Sequence, residues 1–421
     1  MTAYITWGLS LLFYLLQFTL RIAPNVMSKE IIHTYSIGAE QFASLGSLFF
    51  FSYGLLQIPV GIAIDKSGTK IVMLCSIFLC IISSTMASMV SHFKLLQLAR
   101  VISGIGSAPA LLCCLKIVTD YFPQRKHPVM MGMTLAIGSL SSFIMGGLLS
   151  HITETIHLSS AYRIIAATAT LIFIAILCCV KQTKNPEIIN EINESETQGK
   201  TSQQKLSSTK PHETITDILF NKKIIILAFF SVLLYSPLAL LADLWGGPFI
   251  VAKFAIKHSI ASKISLYLYV GLAIGSMTLP WLWSKLNQLE NGIMISSSIV
   301  ITLFAMLIIR NNITEGMLIT VMFIIGLSCS AEMICFALAT RSFGREHSGW
   351  ITGIINTVNI LSVACFQQTV GLVLGMVGSG QINAYGIPIY TANNYNIAMG
   401  TPVLIMSIIL ITCLVNRRKI Q

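Results

Sequence analysis

The chain is organised by apolar runs long enough to cross a lipid bilayer, and they come in two sets of six. A spanning helix needs about 20 mostly apolar residues. Such runs occupy residues 5–26, 40–64, 71–91, 95–118, 128–151 and 161–180, then 224–250, 262–284, 291–309, 316–340, 348–375 and 397–416. Inside lipid a backbone must satisfy its own polar groups, which helices do. The expected fold is therefore all-α and integral to the membrane, with twelve transmembrane helices, here spans 1–12. Only 10% of residues are charged, against about 25% in soluble domains.

Between the sets lies a polar interval, 181–223, with few large apolar residues; it reads as a flexible linker. Its last part, "TITDILFNKK", has the pattern of a short amphipathic turn on the membrane surface. The chain thus divides into a bundle over 1–180, a cytoplasmic linker, and a bundle over 224–421. The halves also look like repeats. "DYFPQRKHPVMMGM" after span 4 matches "RSFGREHSGWITGI" after span 10, pairing Phe122 with Phe343 and Gly132 with Gly353. Duplicated transporters show this layout of two pseudo-symmetric halves.

The net charge of +11 raises the possibility of nucleic acid, but no basic stripe with interleaved aromatics is present. The excess belongs in cytoplasmic loops. Lys66, Lys70, Arg125, Lys126, Lys285, Arg341, Arg345, Arg417, Arg418 and the linker lysines fall on one side of the predicted membrane. Only Lys29, Lys94, Lys253, Lys257, Lys263 and Arg310 fall on the other. Both termini and the linker are accordingly expected in the cytoplasm, in a multi-pass protein of the cell's inner membrane. The ten cysteines, including the pairs Cys113-Cys114 and Cys178-Cys179, lie inside apolar runs and read as small membrane hydrophobes, not disulfides or metal ligands. The long first run with no basic segment before it argues against a cleaved signal peptide. Trp7, Trp281, Trp283 and Trp350 are read mostly as interfacial anchors.

One loop interrupts the apolar pattern sharply. Between spans 2 and 3, "GIAIDKSGTK" supplies Gly61, Asp65, Lys66, Gly68, Thr69 and Lys70. This resembles the signature loop of the major facilitator superfamily, G-xxx-D-[RK]-x-G-[RK]-[RK], with Thr69 in a place that is normally basic. "LARVISGIGSAPA" in span 4 resembles the family motif around Arg100, and "DYFPQRKHP" the loop that closes span 4. The antiporter signature of span 5 is only half present: Gly146 and Gly147 remain, with Ser142-Phe143 in the Gly-Pro place. The resemblance covers the whole chain. It implies two six-helix bundles that rock around a midplane site, with spans 1, 4, 7 and 10 lining the cavity. It further implies that Gly61 lets a neighbouring helix approach, and that Asp65 faces a helix end of the other half and helps hold the outward-open state. Lys66, Gly68 and Lys70 complete the gating loop, and Asp120 is the expected acidic partner of Lys70.

Ionisable residues inside spans carry the most functional information, because a central charge costs about 2.5–3.5 kcal/mol on insertion scales. Four stand out: Arg21 in span 1, Arg100 in span 4, Asp243 in span 7 and Glu332 in span 10. Three readings of Arg21 are open: a grip on substrate, a gate latch with Asp243, or snorkelling to headgroups. Glu332 is either a proton-coupling site, with Asp243 next in line, or a structural partner for a basic residue. Tyr14, Gln17 and Arg21 share one face of span 1; Tyr53 and Gln57 are a turn apart in span 2; Asn356, Asn359 and Gln367 lie together on span 11. These complete the candidate substrate site, against the plainer reading that polar side chains glue helices together. Gly271 and Gly275 read as a close helix contact.

No phosphate-cradling GxxxxGK[ST] loop is present and no histidine falls well inside a span, which speaks against ATP-driven and hydrolytic enzymes. No cofactor or metal is expected. The sequence points to a secondary carrier, working as a monomer in the bilayer with a small-molecule substrate and a coupled proton. Two cations and two anions in the spans favour uptake of a zwitterion such as an amino acid or short peptide. The alternatives are an organic-anion or sugar-phosphate permease, a drug or metabolite efflux antiporter, and a membrane sensor or scaffold with a transporter fold.

Overall fold

The computed structural model describes residues 2–180, 221–343, 348–378, 380, 382 and 388–415. The predicted linker, with its amphipathic "TITDILF" stretch, and most of the span 10–11 loop lie outside the described residues. The described chain is helical and carries eleven helices able to cross a membrane, or twelve counting a bent pair. They form the two six-helix bundles expected. The second begins at Lys222, two residues before the predicted boundary, where the Asn221 side chain accepts a hydrogen bond from Lys223 N.

Several spans are broken, and the breaks have local causes. Span 2 runs as Ala39–Leu55 and Gln57–Ser67 with a 48° bend. Pro59 lacks an N–H to give the Leu55 carbonyl, four residues back, and a proline ring crowds that carbonyl in a straight helix. Span 4 divides into Phe93–Ser107 and Ala110–Tyr121 around Pro109. Span 7 is Lys222–Leu240, a π-helical turn Leu241–Trp245, and Gly246–Phe254. Span 10 divides into Glu315–Cys329 and Glu332–Phe343 with no proline at the break. There span 8 (His258–Lys285) presses so closely that a Cβ on Gly326 would meet the Leu268 backbone, and one on Gly271 the Phe323 carbonyl. Gly275 meets Leu327 in the same way, so both span 8 glycines make the close contact expected of them.

Within the first half, span 1 (Thr2–Val26) packs on span 5 (His127–Thr155), and span 3 (Thr69–Met89) on spans 4 and 6 (Leu158–Cys179). The halves meet chiefly where span 2 runs along span 11 (Ser348–Val377) and span 5 along span 8. Trp7 corrects the sequence reading. It is buried and donates to Thr134 Oγ1 at 3.0 Å, pinning span 1 to span 5 instead of marking the interface. Trp281 stays exposed, with the Lys285 ammonium over its ring. At the loop after span 2, Gly68 takes φ +79°, a conformation that needs glycine and turns the chain into span 3.

Candidate substrate site and gate

The halves are sealed at one end of the molecule and part toward the other. At the sealed end Ser28 Oγ lies 2.7 Å from His258 Nε2, Ala39 N donates to Tyr390 Oη, and Ser47 donates to Gln368. Phe42, Trp245 and Tyr395 pack edge to face across the same region, with Phe249 tilted against Tyr395. The cross-half contacts continue inward to Asn356, which donates to Gln57 Oε1 at 3.2 Å. Beyond it, toward Gly68, the positions of a Cβ on Gly61, Gly132 and Gly353 meet nothing within 4 Å. The close helix contact expected at Gly61 is therefore not made in this conformation, because the halves have separated at its depth.

Toward the sealed end of spans 1 and 7, Arg21 of span 1 meets Asp243 of span 7, Nε to Oδ2 at 2.8 Å. Both are buried, so the snorkelling reading fails. Tyr269 of span 8 donates its hydroxyl to the other Asp243 oxygen. The guanidinium also sits 5.1–5.9 Å from the ring centroids of Phe18, Phe50, Tyr235 and Tyr269, a cage that stabilises a cation through the ring quadrupoles. One of its nitrogens, Nη2, is buried with no hydrogen-bond partner. Gln17 Oε1, one turn away on span 1, is likewise unpartnered. Tyr14 lies below, against Phe18 and Gly138, and Tyr53 stacks on Phe49.

Glu332 occupies the first turn of the second segment of span 10. Asn359 donates to its Oε1 at 2.6 Å and Ser231 at 3.4 Å. No ion pair to Glu332 is found among the described residues, so the basic partner expected of a structural role is not there. Asn359 keeps an unpartnered Oδ1. Gln367 donates to the Ala239 carbonyl of span 7. Arg100 is placed differently. Its Nε and Nη1 donate to the carbonyls of Leu45 and Leu20, and the Phe49 ring lies 4.6 Å away. It ties spans 1, 2 and 4 of the first half together.

At the open end Asp65 pairs with Lys116 at 3.2 Å, and Lys116 reaches Asp120 at 3.8 Å. Lys116 thus takes the place the sequence reading gave to Lys70. Lys70 instead donates to the Leu177 carbonyl that ends span 6. Lys66 of the same loop makes no hydrogen bond or ion pair among the described residues. Sequence reasoning missed Lys116, Tyr235, Tyr269, Ser231 and Asn25. Asn25 alone gave a usable signal, as a carboxamide directly after Pro24 in an apolar helix.

A model of the Major Facilitator Superfamily matches residues 7–366. The chain belongs to the Major Facilitator Superfamily. Its architecture agrees with solved members of similar size. A bacterial homologue of the human lysosomal transporter Spinster, in an inward-facing and occupied conformation, superposes with TM-score 0.75 at 14% identity over 98% of this chain and 96% of that one. The nucleoside transporter NupG superposes with TM-score 0.71 at 16% identity over 98% and 99%. At such identities these superfamily neighbours share the fold. By sequence the chain is similar to a probable L-galactonate transporter of Escherichia coli (strain K12), 27% identical over 137 residues, 32% of this chain and 30% of that protein. It is similar also to a hexuronate transporter of Bacillus subtilis (strain 168), 20% identical over 286 residues, 67% and 65%. The chain therefore spans about a third of the first relative and just under two thirds of the second. It is a multi-pass membrane protein of the superfamily.

Proposed function

We propose that this transporter takes up a small hydroxylated carboxylate of the sugar-acid class together with a proton, across the inner membrane, with both termini in the cytoplasm. In that orientation the sealed end faces outward and the structure is inward-open. The observation that carries the reading is the Arg21 guanidinium, buried at the seam with one nitrogen unpartnered and, among the described residues, its only carboxylate supplied by the opposite half. A planar guanidinium holds a carboxylate by two parallel hydrogen bonds. A substrate carboxylate arriving at Arg21 competes with Asp243 for it. An Asp243 left buried without its cation is costly, so it takes up the proton as it lets go. The orphaned acceptors Gln17 Oε1 and Asn359 Oδ1 suit the hydroxyls of a polyol chain. The names of the two curated relatives favour the same class.

The amino acid or peptide reading is kept as the second one because of Glu332, an acid with neutral donors around it that suits an ammonium group. It is weaker than the sequence charges implied, since Arg100 is bound to backbone carbonyls. The experiment is uptake into proteoliposomes from a panel of hexuronates, aldonates, amino acids, dipeptides, hexose phosphates and nucleosides, with and without an acid-outside pH gradient. Saturable sugar-acid uptake, stimulated by the gradient and collapsed by a protonophore, is expected. Uptake of amino acids or dipeptides with no response to sugar acids would replace the first reading by the second.

A further inference from the structure

Span 7 is interrupted beside Asp243 by a side chain from the other half. In the wide turn Leu241–Trp245 the backbone pattern is i to i+5, and its continuation would join Gly247 N to the Ala242 carbonyl. That bond is replaced by the Asn25 carboxamide. Asn25 Nδ2 donates to Ala242 O at 2.7 Å and to Ser265 Oγ at 2.9 Å, while Gly247 N donates to Asn25 Oδ1 at 2.8 Å. Only one orientation of the amide satisfies all three. Asn25, Ser265 and Asp243 are all buried. Gly247 makes the approach possible, since a Cβ there would lie 2.8 Å from both Asn25 Oδ1 and Ser262 Oγ. Insertion of a side chain into a helix ladder is a recognised cause of a break.

We infer that Asn25 is a positioning residue for Asp243: its carboxamide splints the wide turn of span 7 and so aims the Asp243 carboxylate at Arg21 and Tyr269. Asn25 stands one turn beyond Arg21 on span 1. When the halves part at the sealed end, both leave span 7 together. The turn then loses its splint, its backbone groups pair with each other, and Asp243 rotates off the Arg21 direction. Charge pairing and gate closure are thereby one event. The splint acts on the turn and not on the cargo, so its role is the same whether the substrate is a sugar acid or an amino acid.

The test needs no substrate. Ser150, buried where it donates to the Ser259 carbonyl across the seam, becomes a reporter as Ser150→Cys, labelled by an impermeant maleimide. Asp243→Asn, Asn25→Ala and their combination are compared, with Ser47→Ala as a control that removes a different cross-half hydrogen bond. If Asn25 acts through Asp243, the double variant labels within about threefold of Asn25→Ala alone, because interacting sites are non-additive. The effects of Ser47→Ala and Asp243→Asn should multiply. Should Asn25→Ala not fold, Asn25→Ser, whose hydroxyl cannot reach both Ala242 and Gly247, is expected to give the same pattern more weakly. A variant retaining Trp245 as its single tryptophan adds a spectroscopic reading, since Trp245 lies in the turn. Its emission moves to the red with Asn25→Ala and stays put with Ser47→Ala. Multiplying effects of Asn25→Ala and Asp243→Asn, or an unmoved Trp245 emission, would overturn the inference.

Discussion

Replacing Asp243 by Asn removes the carboxylate from Arg21 while keeping the shape of the side chain. Breaking a buried ion pair on one side costs about 3–5 kcal/mol. Part is recovered here, because the new amide oxygen can still accept from Arg21 Nε and the four aromatic rings remain around the guanidinium. A loss of about 2–3 kcal/mol is the reasonable expectation, since hydrogen bonds to charged groups are worth about 1.5–3 kcal/mol. The pair is formed in the sealed state, and the loss is assigned to that state. At about 1.4 kcal/mol per tenfold, the ratio of sealed to open molecules drops roughly 30- to 150-fold. The assay is maleimide labelling of Ser150→Cys from the outside, with the exposed native cysteines Cys75, Cys178, Cys179 and Cys365 replaced. Labelling should speed up by a factor in that range or reach its ceiling. A rate within twofold of the parent would show that the pair does not hold the seal.

Asp65 is largely exposed and its contact with Lys116 is a surface pair, worth at most about 1 kcal/mol; Asp65→Asn should therefore leave membrane insertion and melting unchanged while slowing transport, and a normal transport rate would remove it from the gating loop. Gly61→Leu meets open space in this conformation, so it should spare this state and block the other; transport at the parent rate would contradict this. Glu332→Gln keeps an acceptor for Asn359 and Ser231 and should retain gradient-driven accumulation within about threefold, the net worth of about half a hydrogen bond. Loss of accumulation with counterflow intact would move the coupled proton to Glu332. Gly326→Leu would drive a side chain into the Leu268 backbone, and detergent-stable protein is not expected from it.

What the sequence makes legible here follows from the physics of each feature. Hydropathy runs give the spans because lipid imposes one requirement on every residue of a run. Breaks caused within the chain leave a mark in it, Pro59 and Pro109, although both runs read as continuous spans by hydropathy. The break in span 10 and the wide turn in span 7 leave no such mark: the first has no proline beside it, and Asn25, 217 residues from its Ala242 partner, bridges the second. Arg21 and Asp243 announced themselves as charges in apolar runs, and their partnership was one of three readings. Tyr235 and Tyr269 did not, since an aromatic in a membrane helix gives no sign of whether it meets lipid or a guanidinium. Lys116 was passed over because it sits at the edge of an apolar run, where a snorkelling lysine looks the same.

The central claim is that a substrate carboxylate takes Arg21 from Asp243, which binds a proton in exchange. Adding a transported sugar acid to purified carrier in weakly buffered detergent solution with a pH dye reads this directly. About one proton should be taken up per carrier loaded, as expected for a single released carboxylate, with none for the uncharged lactone and none in Asp243→Asn. Saturable binding of the sugar acid without proton uptake, or undiminished uptake in Asp243→Asn, would contradict the account.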